Sequence, residues 1–286
     1  MSAATGFGTV PPTTAVMKRR RIMSYIQFSR EGKIGIVTFS KPAGMNTLSS
    51  ADIDEGLEFF GDLADAVELG KEDIRSLILT GEGKGFIAGA DIHEMREMSA
   101  ADAEDFSRRG NALMRRIETF PVPVIAAVNG YALGGGLETA LSADFIYVSK
   151  KAKVGLPEVT LGIFPGFGGG RRLAMRIGEA KAKELVYTGR MITADEAYAL
   201  GLANRVAEPD ELMTAARETA SAIAAAAPGA VRAIKTHINA GRELTTEGWM
   251  TAEPGLFGGL FGLAESTEGL SAFLEKRDPS WLENSL

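Results

Sequence analysis

Two glutamates and two glycine-broken loops are the residues of this chain whose types and spacing point to chemistry. Glu138 follows Gly134, Gly135 and Gly136 in P-V-P-V-I-A-A-V-N-G-Y-A-L-G-G-G-L-E-T-A-L-S-A-D, Pro121 to Asp144. Successive glycines at a helix start remove every side chain there, so a ligand can meet backbone N–H groups that have no intrahelical partner. Those donors also carry the positive end of the helix dipole. If the helix begins near Gly135, Glu138 lies on the same face. That face then offers an amide for a developing oxyanion and a carboxylate for proton transfer. Taken alone, the segment equally fits a tight helix start packed on a strand, with Glu138 an ordinary first-turn acid. Glu158 stands after Pro157 in V-G-L-P-E-V-T-L-G-I-F-P-G-F-G-G-G, Val154 to Gly170. By itself it reads as a surface turn acid. A third stretch, G-E-G-K-G-F-I-A-G-A-D-I-H-E-M from Gly81, is broken by glycine at Ala88 to Asp91, between a strand and a helical pattern. Its amides are candidates for binding.

These residues need a scaffold, and the pattern around them is α/β. Val122 to Val128 is an apolar, β-branched run bounded by proline and Asn129-Gly130, a buried strand. Leu137 to Ala143 reads as a buried helix rich in Ala and Leu. Lys33 to Ser40, Ile74 to Thr80 and Asp144 to Ser149 read as further strands, and Asp102 to Ile117 as an amphipathic helix. Ser49 with Asp52 resembles a helix-capping pair, and Thr193 with Glu196 a capping box before a helix that Gly201 stops. A long glycine-punctuated turn precedes a helix at Arg171 to Ile177. Glu211 to Ala227 is helical, and Pro228-Gly229 restarts a helix that runs to about Ala240.

Composition narrows the class. The 286 residues suggest about two domains at roughly 150 residues each. With 45% hydrophobic and 24% charged residues, the chain can bury a large core. A net charge of −6 argues against a dedicated nucleic-acid binder. No cysteine is present, which excludes disulfides, thiolate metal sites and a cysteine nucleophile, and fits the cytoplasm. His93 and His237 are the two imidazoles and no H-E-x-x-H occurs, so no metal site is expected. Neither G-x-x-x-x-G-K-S/T nor G-x-G-x-x-G is found. Phe120 to Leu137 lies in the longest uncharged stretch, and its prolines and glycines make it a poor membrane span. Residues 1–22, with Pro11-Pro12 and the basic run Lys18 to Arg21, read as a flexible tail. No long apolar core follows the basic run, so it is a weak secretory signal.

The three stretches together resemble the enoyl-CoA hydratase/isomerase (crotonase) family. That family carries A-A-V-N-G-x-A-x-G-G-G-x-E, F-x-A-G-A-D-(I/L)-K-E-M and P-E-x-x-L-G-(I/L)-x-P-G-x-G-G. It also carries an upstream turn matched here by Lys41, Pro42, Asn46 and Leu48. The resemblance spans about Tyr25 to Arg277. It implies an α/β, crotonase-like spiral of β-β-α units with a C-terminal helical oligomerisation region. Residues 1–22 would be the tail, 23–210 the catalytic core and 211–286 the helical trimerisation region. It further implies that the N–H groups of Ala90 and Gly135 form an oxyanion hole, and that Ala88, Asp91 and Ile92 contact the coenzyme A moiety. Glu138 would activate water and Glu158 would deliver the proton to Cα of a 2-enoyl-CoA, giving 3-hydroxyacyl-CoA. No cofactor is implied, coenzyme A being part of the substrate. Δ3,Δ2-Enoyl-CoA isomerisation on the same scaffold is the alternative.

Other positions follow from the same likeness. Asp144 would be a structural residue at a helix-to-strand turn. His93 stands where many members have Lys, which puts a phosphate contact there in doubt; its plain reading is a solvated helix residue. Glu94 to Phe106 would supply pocket walls. Glu253 to Arg277 resembles the C-terminal helices, so a homotrimer or homohexamer is expected, with Phe257, Leu260, Phe261 and Leu263 at the contacts. An RNA-binding relative has only the run Lys18 to Arg21 in its favour, so neither nucleic acid nor membrane is expected as a partner.

Overall fold

Strands that are apolar along their whole length need cover on both faces, and parallel sheets provide that arrangement. In the computed structural model, which describes residues 25–41 and 45–282, the chain forms two sheets, each parallel except for one antiparallel pair at an edge. The expected tail, 1–22, and Pro42 lie outside the described residues. The strands are β1 (Ile26–Glu31), β2 (Ile34–Phe39), β3 (Ser76–Gly81), β4 (Gly85–Ile87), β5 (Val124–Val128), β6 (Tyr131–Leu133), β7 (Phe145–Ser149), β8 (Lys153–Gly155), β9 (Ile192–Thr193) and β10 (Arg205–Ala207). The helices are α1 (Ser50–Glu68), α2 (Ile92–Arg96), α3 (Ala100–Glu118), α4 (Gly135–Ser142), α5 (Gly169–Ile177), α6 (Glu179–Thr188), α7 (Ala194–Ala199), α8 (Leu212–Ala224), α9 (Pro228–Ala240), α10 (Thr246–Leu260) and α11 (Ala264–Glu275).

One sheet runs β1-β2-β3-β5-β7-β10, the other β4-β6-β8-β9. The antiparallel edge pairs are β1 with β2 and β9 with β8. Strands β3, β5 and β7 are parallel neighbours in the first sheet, with Leu77 opposite Val124 and Ile125 opposite Phe145. Strands β4, β6 and β8 are parallel neighbours in the second, with Gly85 opposite Tyr131 and Tyr131 opposite Lys153. Each strand pair is followed by helix, so the chain climbs as a spiral of β-β-α units: β3-β4 then α2 and α3, β5-β6 then α4, and β7-β8 then a 3-10 turn (Glu158–Leu161) and α5. This is the α/β architecture that the family resemblance implies.

Period-two alternation divides the core. Val37, Leu77, Leu79, Val124, Ala126 and Val128 face one buried cluster, shared with α1, α3 and α4. The intervening Ile34, Ile36, Ile78, Ile125, Ala127 and Tyr147 face a second cluster, completed by Leu212, Ala215, Ala216 and Ala220 of α8. Helix α8, which the sequence places with the C-terminal region, therefore covers the outer face of the main sheet.

Helix ends follow local chemistry. Ser49 and Asp52 make the full reciprocal capping box on α1. At α7 the box is half present: Thr193 accepts the Glu196 N–H, but the Glu196 carboxylate bonds Arg190 at 2.7 Å. The expected helical stretch Glu253 to Arg277 is two helices. The first starts upstream at the Thr245 cap and carries Pro254 in its interior.

Candidate active site

Helix α4 begins at the glycines. Gly134 caps it with φ 51°, and its N–H bonds the Gly155 carbonyl at 2.9 Å. A β-carbon on Gly136 would lie 1.8 Å from the Ile87 carbonyl oxygen, so only glycine lets α4 seat this closely on β4. Gly135 is then the first helical residue, and its N–H has no hydrogen-bond partner among the described residues.

The second open donor comes from the loop after β4. The Leu48 N–H bonds the Gly89 carbonyl at 2.9 Å, and the Asp91 N–H bonds the Leu48 carbonyl at 2.7 Å. In such a parallel bridge the flanking residues make the bonds, so the N–H of the intervening Ala90 faces away from Leu48. It too has no partner among the described residues. The loops abut: the Gly89 Cα is 3.8 Å from the position of a β-carbon on Gly134.

The glutamates meet at the same helix start. Glu138 is 1% exposed, and its Oε1 accepts the N–H groups of Phe167 and Gly169, each at 2.8 Å. Gly169 opens α5, so this oxygen sits at the positive end of a second helix. Burial pushes the Glu138 carboxyl up to about 7, with the Gly169 and Phe167 N–H groups pulling it down and the nearby Glu158 pushing it further up. Glu158 opens the 3-10 turn after Pro157 and is also buried. Burial raises its carboxyl against a bond from its own backbone N–H, and its Oε2 finds no hydrogen-bond partner. Two buried acids that both hold their protons more tightly than an ordinary carboxyl, beside two unpaired N–H donors, can shuttle protons next to an oxygen that gains negative charge.

Residues 29–284 match the family model described as enoyl-CoA hydratase/isomerase. The chain belongs to this family. It is 41% identical over 263 residues to a short-chain-enoyl-CoA hydratase of Clostridium acetobutylicum, covering 92% of this chain and 99% of that protein. It is 40% identical over 260 residues to a crotonyl-CoA hydratase of Syntrophomonas wolfei, covering 90% and 97%. Among solved structures, an enoyl-CoA hydratase from Bacillus anthracis superposes with a TM-score of 0.85 at 36% identity, covering 89% of this chain and 98% of that one.

Within this hydratase/isomerase scaffold the remaining expected residues divide. Asp91 is the N-cap of α2 and accepts the N–H groups of His93 and Glu94 at 3.0 and 3.3 Å, so its carboxylate is engaged in the cap. The Ala88 N–H is taken by the Met45 carbonyl at 3.0 Å, and the Ile92 side chain is exposed. His93 is exposed at the start of α2. Asp144 lies outside the acid pair: its Oδ2 accepts the Val124 N–H at 2.7 Å and pairs with Lys235 Nζ at 2.8 Å. Sequence reasoning missed Phe167 and Gly169 as partners of Glu138. Their signal was the run G-F-G-G-G, in which Gly168 takes φ 87° and turns both neighbouring N–H groups inward. Among the described residues no group of three or more His, Asp or Glu is arranged to hold a metal ion.

Proposed function

We propose that the chain adds water reversibly across the double bond of a 2-enoyl-CoA thioester, giving 3-hydroxyacyl-CoA. One observation carries this: two buried carboxyls, Glu138 and Glu158, lie near enough to repel one another, and Glu158 Oε1 sits against Gly134, beside a helix start whose first N–H is unpaired. Water attacking Cβ drives negative charge onto the thioester oxygen. The N–H groups of Gly135 and Ala90 receive that oxygen; one such donor is worth about 3 kcal/mol. Glu138, ionised, takes the proton from the attacking water, and Glu158, protonated, delivers one to Cα. The two titrate as a coupled pair, because ionising one opposes ionising the other. The reaction moves no electrons to an acceptor, so it needs no cofactor beyond the coenzyme A of the substrate. Ala88, Asp91 and Ile92 form the loop assigned to that moiety.

Isomerisation between Cα and Cγ can proceed with a single carboxylate. Retention of Glu158, buried with an unengaged Oε2, favours hydration. Phe257 (62% exposed) and Phe261 (57%) support assembly as a homotrimer or homohexamer through the C-terminal helices of a region spanning 211–286. Among the described residues no helix is long and apolar enough to cross a membrane; the cytoplasmic placement drawn from the sequence stays part of this reading. The test is spectroscopic. Purified protein is expected to bleach the enone absorbance of crotonyl-CoA, and no turnover on crotonyl-CoA or longer enoyl chains would overturn the assignment.

A further inference from the structure

The turn that holds Glu138 is itself held from behind. The Gly166 carbonyl, on the same peptide group as the Phe167 N–H, accepts from Ser107 Oγ at 2.6 Å and Asn111 Nδ2 at 2.7 Å. The Phe167 carbonyl, one peptide on, accepts from Arg172 Nη1 at 2.8 Å. The same guanidinium reaches Glu118 Oε2 at 3.2 Å through Nη2. Glu118 is buried and is bonded in addition by Arg115 and Arg242. Between the two N–H donors, Gly168 leaves room for this guanidinium: a β-carbon there would lie 2.6 Å from Arg172 Nη1.

The geometry points to Arg172 as a positioning residue: by tying the Phe167 carbonyl to Glu118, it fixes the turn from Phe167 to Gly169 and so fixes the Glu138 carboxylate against the start of α5. A peptide pinned at its carbonyl presents its N–H in one direction and with greater polarity. A buried carboxylate depends on such preset donors, because water cannot replace them. The charge of Arg172 acts the same way, favouring ionised Glu138. The opposing group at Glu138 is Glu158. Around Arg172 the charged groups are Glu118, Arg115 and Arg242, with Arg176 acting on Glu118 and Arg242. A lysine at 172 would keep a charge but lacks the planar fork that serves two acceptors at once.

The catalytic consequence rests on the hydratase reading, so the test includes a readout without turnover. The Glu138 carboxyl carbon, labelled and assigned through Glu138→Gln, is titrated by NMR in the full chain, in Arg172→Met, Arg172→Lys and Glu118→Gln. The kcat/KM profile for crotonyl-CoA is recorded in parallel. Loss of Arg172 is expected to raise the Glu138 midpoint by roughly one pH unit and to carry the acid limb of kcat/KM upward with it. Lysine recovers part of the shift, and Glu118→Gln gives a smaller shift in the same direction. A midpoint unmoved in every variant that folds overturns the inference. A shifted midpoint in a protein without hydratase turnover upholds the positioning and removes the hydratase reading instead.

Discussion

The Glu158 carboxylate lies against Gly134: a β-carbon on that glycine would stand 3.0 Å from Glu158 Oε1. Gly134 also adopts φ 51°, where a side chain is strained. The residue that starts α4 thus sets the seat of an acid contributed by a later turn. Gly134→Ala is expected to cost about 1–3 kcal/mol of stability and to displace Glu158 from the helix start. Thermal unfolding and crotonyl-CoA hydration on one preparation check this. Unchanged Tm with unchanged rate would show the contact to be idle.

The two acids are expected to be separately indispensable. Glu138→Gln and Glu158→Gln should each lower the hydration kcat by about 10²–10⁴-fold, the usual worth of a positioned acid or base. Both should leave the circular dichroism of the fold intact. Negligible hydration by the native protein, alongside Δ3-to-Δ2 isomerisation that survives in Glu158→Gln, would shift the reading to a one-carboxylate isomerase.

The raised Glu138 sets a direction for pH. Its carboxyl lies at about 7 when folded, against 4.5 ordinarily, so the folded state holds the proton more tightly than the unfolded chain. That preference stabilises fully below about 4.5 and is lost as pH rises through about 7. Relative to Glu138→Gln, the native protein should therefore lose stability across that window, as read by denaturant midpoints at stepped pH. Activity has the opposite slope on this limb, because the ionised form takes the proton from water. A stability difference that stays flat between pH 4.5 and 7 would show that Glu138 is not the group titrating there.

Asp144 and Lys235 form a pair whose work is structural. Lys235 is 6% exposed at its side chain and also bonds the Val122 carbonyl at 2.9 Å, tying α9 to the strand that leads to the site. Asp144→Ala should cost about 3 kcal/mol by leaving the buried ammonium uncompensated. The double variant with Lys235→Met should recover part of that loss. The kcat of the folded fraction should stay near the native value. A drop in kcat without a drop in Tm would place Asp144 in the chemistry.

Short-range relationships were legible without coordinates. The strand at Val124–Val128, the helix starting at Gly135 and the restart at Pro228 depend on apolar periodicity, glycine and proline over a few residues. The same holds for Glu138 one turn beyond Gly135, which helix geometry dictates. The spiral was harder to see: successive β-β-α units share no repeated sequence, because what repeats is strand alternation and not residue identity.

The tertiary structure decided which groups face one another. Nothing local indicates that Phe167 and Gly169 would direct their N–H groups at Glu138, or that Arg172 would tie that turn to Glu118, since each pairing joins residues far apart in the chain. Nor does sequence spacing show that Ala90 would be turned outward by the bridge to Leu48 while Asp91 is occupied by its cap. Residue types and helix starts determined what this protein could do to a proton. The packing of separate turns around one buried carboxylate, away from water, decided the proton affinity with which it does so.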